Sequence, residues 1–176
     1  MPAPLIWLGA AALGAITANE VNTAYLKRNK VVDAMPGDSK HLSTPVNGSI
    51  VTCGIYGVLD HTGIWVDGNI YELSGNGLVR CLSPSRFLGD RSGSKIYMAC
   101  DTYNNPLYDT GASIRAKELL FHLLDYHLVN ENCHRFVAQL IANKETDITS
   151  FSGFNTFLSD FFDTPIRWNL TEINIR

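Results

Sequence analysis

The hydrophobic and polar residues in the central part of the chain alternate in short runs. After Asn47-Gly48, and separated by Gly, Asn and Asp, runs typical of β-strands occur at residues 49–56, 61–66, 69–73, 78–82 and 95–100. Asp67-Gly68, between the second and third of these runs, is typical of a two-residue hairpin turn. The runs therefore predict a small antiparallel β-sheet, and residues 84–88 predict a single helical turn.

The hydrophobic period becomes helical further along the chain. Apolar residues spaced by three and four predict a helix from Asp109 or Thr110 to Tyr126. Either Thr110 or Ser113 is available as the residue that caps its first turn.

A second helix is predicted over residues 133–142, with Asn130 or Asn132 as its cap. The tail, residues 151–176, is rich in aromatic side chains at spacings of three and four, which predicts core packing. An apolar N-terminal segment, an antiparallel sheet and then helices together predict an α+β fold.

The N-terminal segment is apolar but short. Residues 5–18 carry no charge, whereas a membrane-spanning helix needs ~20 apolar residues. Residues 1–4 lack the positive charge that opens a signal peptide. Three alternatives stay open: a short membrane anchor, an atypical secretion signal, and a buried helix of the domain. We favour membrane association at the cytoplasmic face, because a basic cluster follows the apolar run at Lys27, Arg28 and Lys30.

The chain is predicted to have three segments. Residues 1–20 form the apolar N-terminal helix. Residues 21–44 are polar and turn-rich, which indicates a connector. Residues 45–176 form one domain, which is long enough to bury a core.

Composition excludes several classes of protein. Of the 176 residues, 45% are hydrophobic and 18% charged, which is not the composition of a disordered chain. The net charge of −3 provides no basic field for nucleic acid. The four cysteines are too sparse and irregular for a disulfide framework, and no spacing suggests zinc. We expect three of them to be small buried hydrophobes: Cys53, Cys81 and Cys100.

Cys133 is the candidate nucleophile. It begins the predicted helix over residues 133–142, where free N–H groups and the helix dipole favour a thiolate. A thiol also needs a base, and His61, at the start of a predicted strand, is the candidate. The alternative for Cys133 is a thiol that only fills the core.

Glu72 is the candidate third member of the site. If Asp67-Gly68 is a two-residue turn, then Ile64 lies opposite Tyr71, and His61 and Glu72 fall on the same face in diagonal positions. A carboxylate beside the imidazole would fix its tautomer and stabilise the imidazolium. This inference depends on the turn, because a slip by one residue would move Glu72 to the other face.

The other histidines are interpreted as ordinary surface or hydrogen-bonded residues. They are His41, His122, His127 and His134. His134 follows the candidate nucleophile directly, so on a helix its side chain points about 100° away from it.

Several spaced motifs resemble the lecithin–retinol acyltransferase family, circularly permuted relatives of papain-like cell-wall peptidases. Residues 114–117 and 126–137 resemble the family's nucleophile segment, in which an Arg-Ala helix leads to a Tyr, a short polar loop and Asn-Cys before Phe-Val. Residues 61–66 resemble its histidine strand, His-x-Gly/Ala-Ile-Tyr/Trp-Val, and Glu72 stands where the third catalytic group is found. Residues 45–51 resemble its first strand.

The chain also departs from the family pattern. The family often has His where Glu72 stands, although its bacterial members vary there. His134 replaces the Glu of the acyltransferases proper, and Ser49 replaces an Asp of the first strand. The apolar segment is N-terminal, whereas the animal lipid enzymes carry a C-terminal anchor. These differences concern the substrate and leave the pair of Cys133 and His61 intact.

The resemblance implies a permuted papain-like domain of the bacterial type, with Cys133, His61 and Glu72 as its catalytic triad. It implies a cysteine-dependent acyl hydrolase or acyltransferase that forms an acyl-enzyme on a lipid or membrane-proximal substrate. A peptidase or amidase acting on peptide or peptidoglycan bonds is the first alternative, and a non-catalytic binding module is the second. No metal, organic cofactor or nucleic-acid partner is expected.

Overall fold

Each of the five predicted β-runs contributes a strand to one sheet. The computed structural model describes residues 20–55, 59–89, 91, 93–125 and 132–173. The strands in these ranges are β1 (Val32–Ala34), β2 (Leu42–Ser43), β3 (Ile50–Ile55), β4 (Leu59–Val66), β5 (Asn69–Leu73), β6 (Val79–Leu82), β7 (Tyr97–Cys100) and β8 (Ile166–Thr171). They form one sheet in the order β1-β8-β7-β3-β4-β5-β6, with β2 also paired to β8.

The sheet is mostly antiparallel and packs against helices. Only β1 and β2 run parallel to their partner β8 among the described strand pairs. The helices are α1 (Pro84–Gly89), α2 (Thr110–Glu118), α3 (Cys133–Ala142) and α4 (Phe151–Phe162), and residues 20–28 are helical as well. The predicted α+β fold is confirmed.

The hairpin between β4 and β5 has the predicted register. Asp67 and Gly68 both have positive φ angles, +50° and +80°, as a two-residue hairpin turn of the common type requires. Val66 lies opposite Asn69, and Ile64 lies opposite Tyr71. Gly63 permits the close approach of the two strands, because a Cβ atom there would lie 2.6 Å from the Ile70 side chain.

Helix α2 is shorter than predicted and has a different cap. It ends at Glu118 instead of Tyr126, because Phe121 adopts a left-handed φ of +66° that turns the chain out of the helix. The Phe121 N–H then donates to the Val79 carbonyl at 3.0 Å, which pairs this segment with β6. Asp109, instead of Thr110 or Ser113, caps the helix by accepting a hydrogen bond from a backbone N–H of its first turn.

Residues 21–44, which were predicted as a connector, contribute a helical segment and two strands to the fold. The segment is helical up to residue 28 and then supplies β1 and β2, so the prediction of a connector is corrected. Val32 of β1 lies opposite Ile166, and Leu42 of β2 lies opposite Leu170. Strands of three and two residues are too short to show a period of two, and their partner β8 is distant in the chain.

The sheet carries a hydrophobic core on each face. One core includes Ile64, Phe136 and Phe154 and packs against α2, α3 and α4. The other includes Ile70 and Phe87 and lies beneath α1.

The two candidate strand residues lie on the face of the sheet that α1 covers. Side chains alternate along a strand, so His61 shares the face of Trp65, and Glu72 shares the face of Ile70. The β4–β5 pairs end at Ile64 and Tyr71, and both candidates lie beyond that last pair. Helix α3 contacts both strands from the opposite face.

Part of the N-terminal prediction falls outside the described residues. Residues 5–18 lie there, so the alternatives of anchor, signal and core helix stay predictions. Within the part of the chain that the structure describes, no helix is long and apolar enough to cross a membrane.

Candidate active site

Cys133 is the first residue of α3, and its position is fixed by the cap that precedes it. The Asn132 side chain accepts hydrogen bonds from the N–H groups of His134 at 3.0 Å and Arg135 at 3.3 Å. Its amide nitrogen donates to the Thr149 carbonyl at 2.7 Å, which ties the cap to the segment before α4. Cys133 is 5% exposed and lies at the positive end of the helix dipole.

His61 is held by β3 and by a helix on its own face of the sheet. It lies opposite Cys53 in the β3–β4 pairing, and its carbonyl accepts a hydrogen bond from the Thr52 hydroxyl at 3.0 Å. Its ring packs against Phe87 of α1, with the ring centres 5.5 Å apart. The imidazole is 6% exposed, so its position is set by the protein and not by solvent.

Glu72 is fully buried and accepts three charged donors. Its Oε2 atom lies 2.7 Å from Nε2 of His61 and 2.6 Å from Nη2 of Arg91. Its Oε1 atom accepts from Nε of Arg80 at 3.0 Å. Burial alone would favour the neutral acid, but the hydrogen bond and charge of His61, the charge of Arg91 and the hydrogen bond of Arg80 lower the pKa of Glu72 to about 2.

Cys133 lies beside His61: its Sγ atom is 4.0 Å from the carbonyl oxygen of the neighbouring Asp60, and each of the two side chains shifts the pKa of the other. Because Glu72 binds Nε2 of the ring, Nδ1 is the ring nitrogen left to exchange a proton with the thiol. Burial lowers the pKa of His61, but the hydrogen bonds and charges of Cys133 and Glu72 outweigh it and raise that pKa above its usual range. Burial raises the pKa of Cys133, but His61 outweighs it and leaves the thiol pKa lowered. Both directions favour a thiolate–imidazolium pair.

Thr62 is a further neighbour of the sulfur. Its backbone N–H and its hydroxyl both help to lower the pKa of the Cys133 thiol. The hydroxyl also lies 3.3 Å from Nδ1 of His134. His134 is buried against Phe151 and Phe154, and burial together with the charge of His61 lowers its pKa to about 4. His134 is therefore neutral at pH 7.

The other cysteines do not share this environment. The structure has all four cysteines as free thiols. Burial raises the pKa of Cys53 to about 12 and also raises the pKa of Cys100. Cys81 is only half-buried, so the expectation of a fully buried thiol is wrong at that position.

Two arginines and Thr62 belong to the site but were not predicted. Arg80 lies directly opposite Glu72 in the β5–β6 pairing. Two β-runs joined by the glycine-rich segment 74–78 could have indicated this charge pair from the sequence. Arg91 follows α1 in a segment without hydrophobic periodicity, so no sequence signal placed it near Glu72.

Among the residues with described positions, no group of three His, Cys, Asp or Glu side chains could hold a metal ion. No protein-family model, curated protein or solved structure matches the chain. The resemblance to the lecithin–retinol acyltransferase family therefore rests on the spaced motifs alone.

Proposed function

We propose that this chain is a cysteine-dependent acyl hydrolase or acyltransferase that works through an acyl-enzyme on Cys133. The observation that carries the proposal is the buried arrangement of Cys133 next to the Asp60–His61 segment, with His61 hydrogen-bonded to Glu72. A structural role alone does not require a lowered thiol pKa beside a histidine that is itself held by an ionised carboxylate.

The first half of the reaction forms the thioester. His61 accepts the Cys133 proton at Nδ1, and the thiolate attacks the carbonyl carbon of the substrate. Asn132 already accepts from the N–H groups of His134 and Arg135, and the proposed donor to the oxyanion is the Cys133 N–H at the start of the helix. The imidazolium then protonates the leaving oxygen or nitrogen, and the bond between that atom and the acyl carbon breaks.

The second half releases the acyl group. A water molecule, hydroxyl or amine gives its proton to His61 as it attacks the thioester carbon. The tetrahedral intermediate collapses, the carbon–sulfur bond breaks, and the thiolate is restored beside the imidazolium. Glu72 keeps its negative charge throughout, because its pKa of about 2 lies far below neutral pH.

The proposed substrate is a lipid or another acyl compound at a membrane surface. We also propose that the fold is related to that of permuted papain-like enzymes. Two sequence features support the membrane: the apolar residues 5–18 and the basic cluster that follows them at Lys27, Arg28 and Lys30. We propose that the domain lies at the cytoplasmic face.

Acyl transfer to Cys133 can be tested by intact mass. The protein is incubated with phospholipid vesicles and, separately, with muropeptides, and adducts on Cys133 are mapped. A mass increase equal to a fatty acyl chain supports the lipid substrate, whereas a muropeptide fragment assigns the site to amide bonds. Cys133→Ala must abolish the adduct, and Cys53→Ala, which removes an unused buried thiol, must keep it. A folded protein that forms neither adduct and turns over neither substrate would favour a binding module.

Membrane association is tested separately by deleting residues 1–18. The proposal expects the truncated protein to leave vesicles while its melting temperature and the alkylation rate of Cys133 stay unchanged. A large fall in melting temperature would instead identify the segment as a core helix, because each buried Leu or Ile contributes about 1.5–3 kcal/mol.

A further inference from the structure

The two oxygens of Glu72 have different partners. Oε1 is bound by Arg80, which comes from the neighbouring strand β6 and whose side chain is 35% exposed. Oε2 is shared by His61 and Arg91. Nη2 of Arg91 and Nε2 of His61 both lie within 2.7 Å of this oxygen, so the two nitrogens are less than twice that distance apart.

Contacts with Phe87 also hold the Arg91 side chain in place. Its guanidinium lies over the Phe87 ring, 4.6 Å from the ring centre, and donates to the Phe87 carbonyl. The same ring packs against His61. The Arg91 side chain is only 10% exposed. Arg91 therefore contacts both groups that orient the imidazole, the Glu72 carboxylate and the Phe87 ring.

Arg91 changes the charge balance around the His61 imidazole, because it binds the same carboxylate oxygen of Glu72 as the ring does. Among the described residues, the charged or titratable groups of the surrounding elements are Cys53 on β3, Asp60 on β4, Glu72 on β5, Arg80 on β6, Arg91 after α1, and Cys133 and His134 on α3. Two arginines face one ionised carboxylate, so the imidazolium and Arg91 compete for the negative charge at Oε2.

We propose that Arg91 is a positioning residue that fixes Oε2 of Glu72 against His61 and sets the pH range in which the Cys133–His61 pair is charged. This inference rests on the proposed function. By taking part of the carboxylate charge, Arg91 makes the imidazolium a better acid, which the leaving group requires in the first half of the reaction. Arg80 binds the other oxygen and is more exposed, so its influence on His61 is weaker.

The experiment measures the alkylation rate of Cys133 by iodoacetamide from pH 4 to 10, by mass spectrometry of the Cys133 peptide. The variants are Arg91→Gln, Arg91→Lys and the matched control Arg80→Gln. Loss of a positive charge makes every nearby proton harder to remove. Both limbs of the Arg91→Gln profile should therefore move to higher pH by about one unit. Arg80→Gln should move them by less than half as much.

The conservative variant separates charge from packing. Arg91→Lys keeps the positive charge, so its limbs should stay within about 0.3 pH units of the wild type even if Arg91→Gln does not fold. A larger shift in Arg91→Lys would overturn the inference. An unchanged profile in folded Arg91→Gln, or an equal shift in Arg80→Gln, would do the same, because a purely structural arginine would alter only the melting temperature.

The same measurement distinguishes this inference from the proposed function. If wild-type Cys133 alkylates with the pH dependence of an ordinary thiol, the proposed function fails. If wild-type Cys133 is activated and the arginine variants do not move its profile, only the role of Arg91 fails.

Discussion

Two buried histidines flank Cys133, and their surroundings have opposite electrostatic effects. His61 lies on β4, far from Cys133 in the chain, whereas His134 follows Cys133 directly on α3. They are 6% and 7% exposed, so burial does not distinguish them. His61 binds an ionised carboxylate and has a raised pKa, whereas His134 packs between phenylalanine rings and has a pKa of about 4.

The groups beside a histidine, and not its depth or its distance in the chain from Cys133, decide whether its ring holds a proton at neutral pH. Burial favours the neutral form of both rings. At His61 the hydrogen bonds and charges of Cys133 and of the Glu72 carboxylate together outweigh that effect. At His134 the only polar side-chain contact described is the Thr62 hydroxyl, which carries no charge. A base that must hold a proton during catalysis requires the first environment.

Replacing the two histidines in separate variants should give the largest difference in kcat. His61→Ala should lower kcat roughly 10⁴-fold, because it removes the proposed general base and the proposed partner of the thiolate. His134→Phe should lower kcat by less than roughly tenfold, since a phenylalanine fits the aromatic surroundings and His134 takes no proton. Turnover of the substrate identified by mass spectrometry measures both. A loss in His134→Phe as large as in His61→Ala would reverse the assignment.

Removing the Glu72 carboxylate should leave His61 without its carboxylate partner, so that its surroundings become more like those of His134. We expect Glu72→Gln to lower kcat roughly 10³-fold, because the imidazolium loses its stabilising charge. The variant should also unfold more easily by about 3 kcal/mol, because Arg80 and Arg91 are left beside a neutral amide. Urea unfolding measures the second effect.

The control for this variant is Asp67→Asn. Asp67 also pairs with a cation, Lys117, but both side chains are well exposed. Asp67→Asn should leave kcat and the unfolding midpoint close to the wild type. Equal stability losses in the two variants would show that the buried ion pairs of Glu72 contribute no more to the free energy of unfolding than the exposed pair of Asp67.

The pKa of His134 gives a smaller effect that depends on pH. Between pH 6.5 and 4 the unfolded chain protonates this histidine and the folded chain does not, so stability falls as the pH falls through this range. The cost should reach about 3 kcal/mol at pH 4 and should be absent in His134→Phe. His61 has the opposite sign: its contribution is present below pH 6.5 and is lost as the pH rises through its raised pKa.

Urea unfolding of the wild type and His134→Phe at pH 4.5 and 7 measures this difference. The stability of the variant relative to the wild type should increase at the lower pH. A difference that does not change with pH would mean that His134 titrates normally and that its surroundings resemble those of His61 more than the structure indicates.

The sequence predicts the elements whose signals are local. The hairpin at Asp67-Gly68 follows from its turn residues, and the start of α3 follows from Asn132 and the apolar spacing after it. The end of α2 does not, because Phe121 leaves the helix to bond with β6, a partner distant in the chain. The same holds for β1 and β2, which are strands only because β8 lies beside them.

The residues of the candidate site also differ in whether the sequence predicts them. The register of one hairpin and the resemblance to a known family were enough to place Cys133, His61 and Glu72 in one set. In the structure Glu72 is hydrogen-bonded to His61, and the Cys133 sulfur lies next to the Asp60 carbonyl that precedes His61. Arg91 could not be predicted, because the loop after α1 fixes its direction only through contacts with Phe87 and Glu72. The neutral state of His134 depends on two phenylalanines of α4, which the aromatic spacing assigns to the core without naming their partner.

The most direct test of the activated thiol compares the four cysteines of the folded protein in one reaction. Brief treatment with iodoacetamide at pH 5.5, followed by peptide mass spectrometry, gives the labelled fraction of each. We expect Cys133 to be labelled well before Cys53, Cys81 and Cys100, and His61→Ala to abolish this preference, because the imidazolium is what keeps the thiolate charged below neutral pH. Equal labelling of all four cysteines, or a preference that survives in His61→Ala, would contradict the assignment of Cys133 as a nucleophile activated by His61.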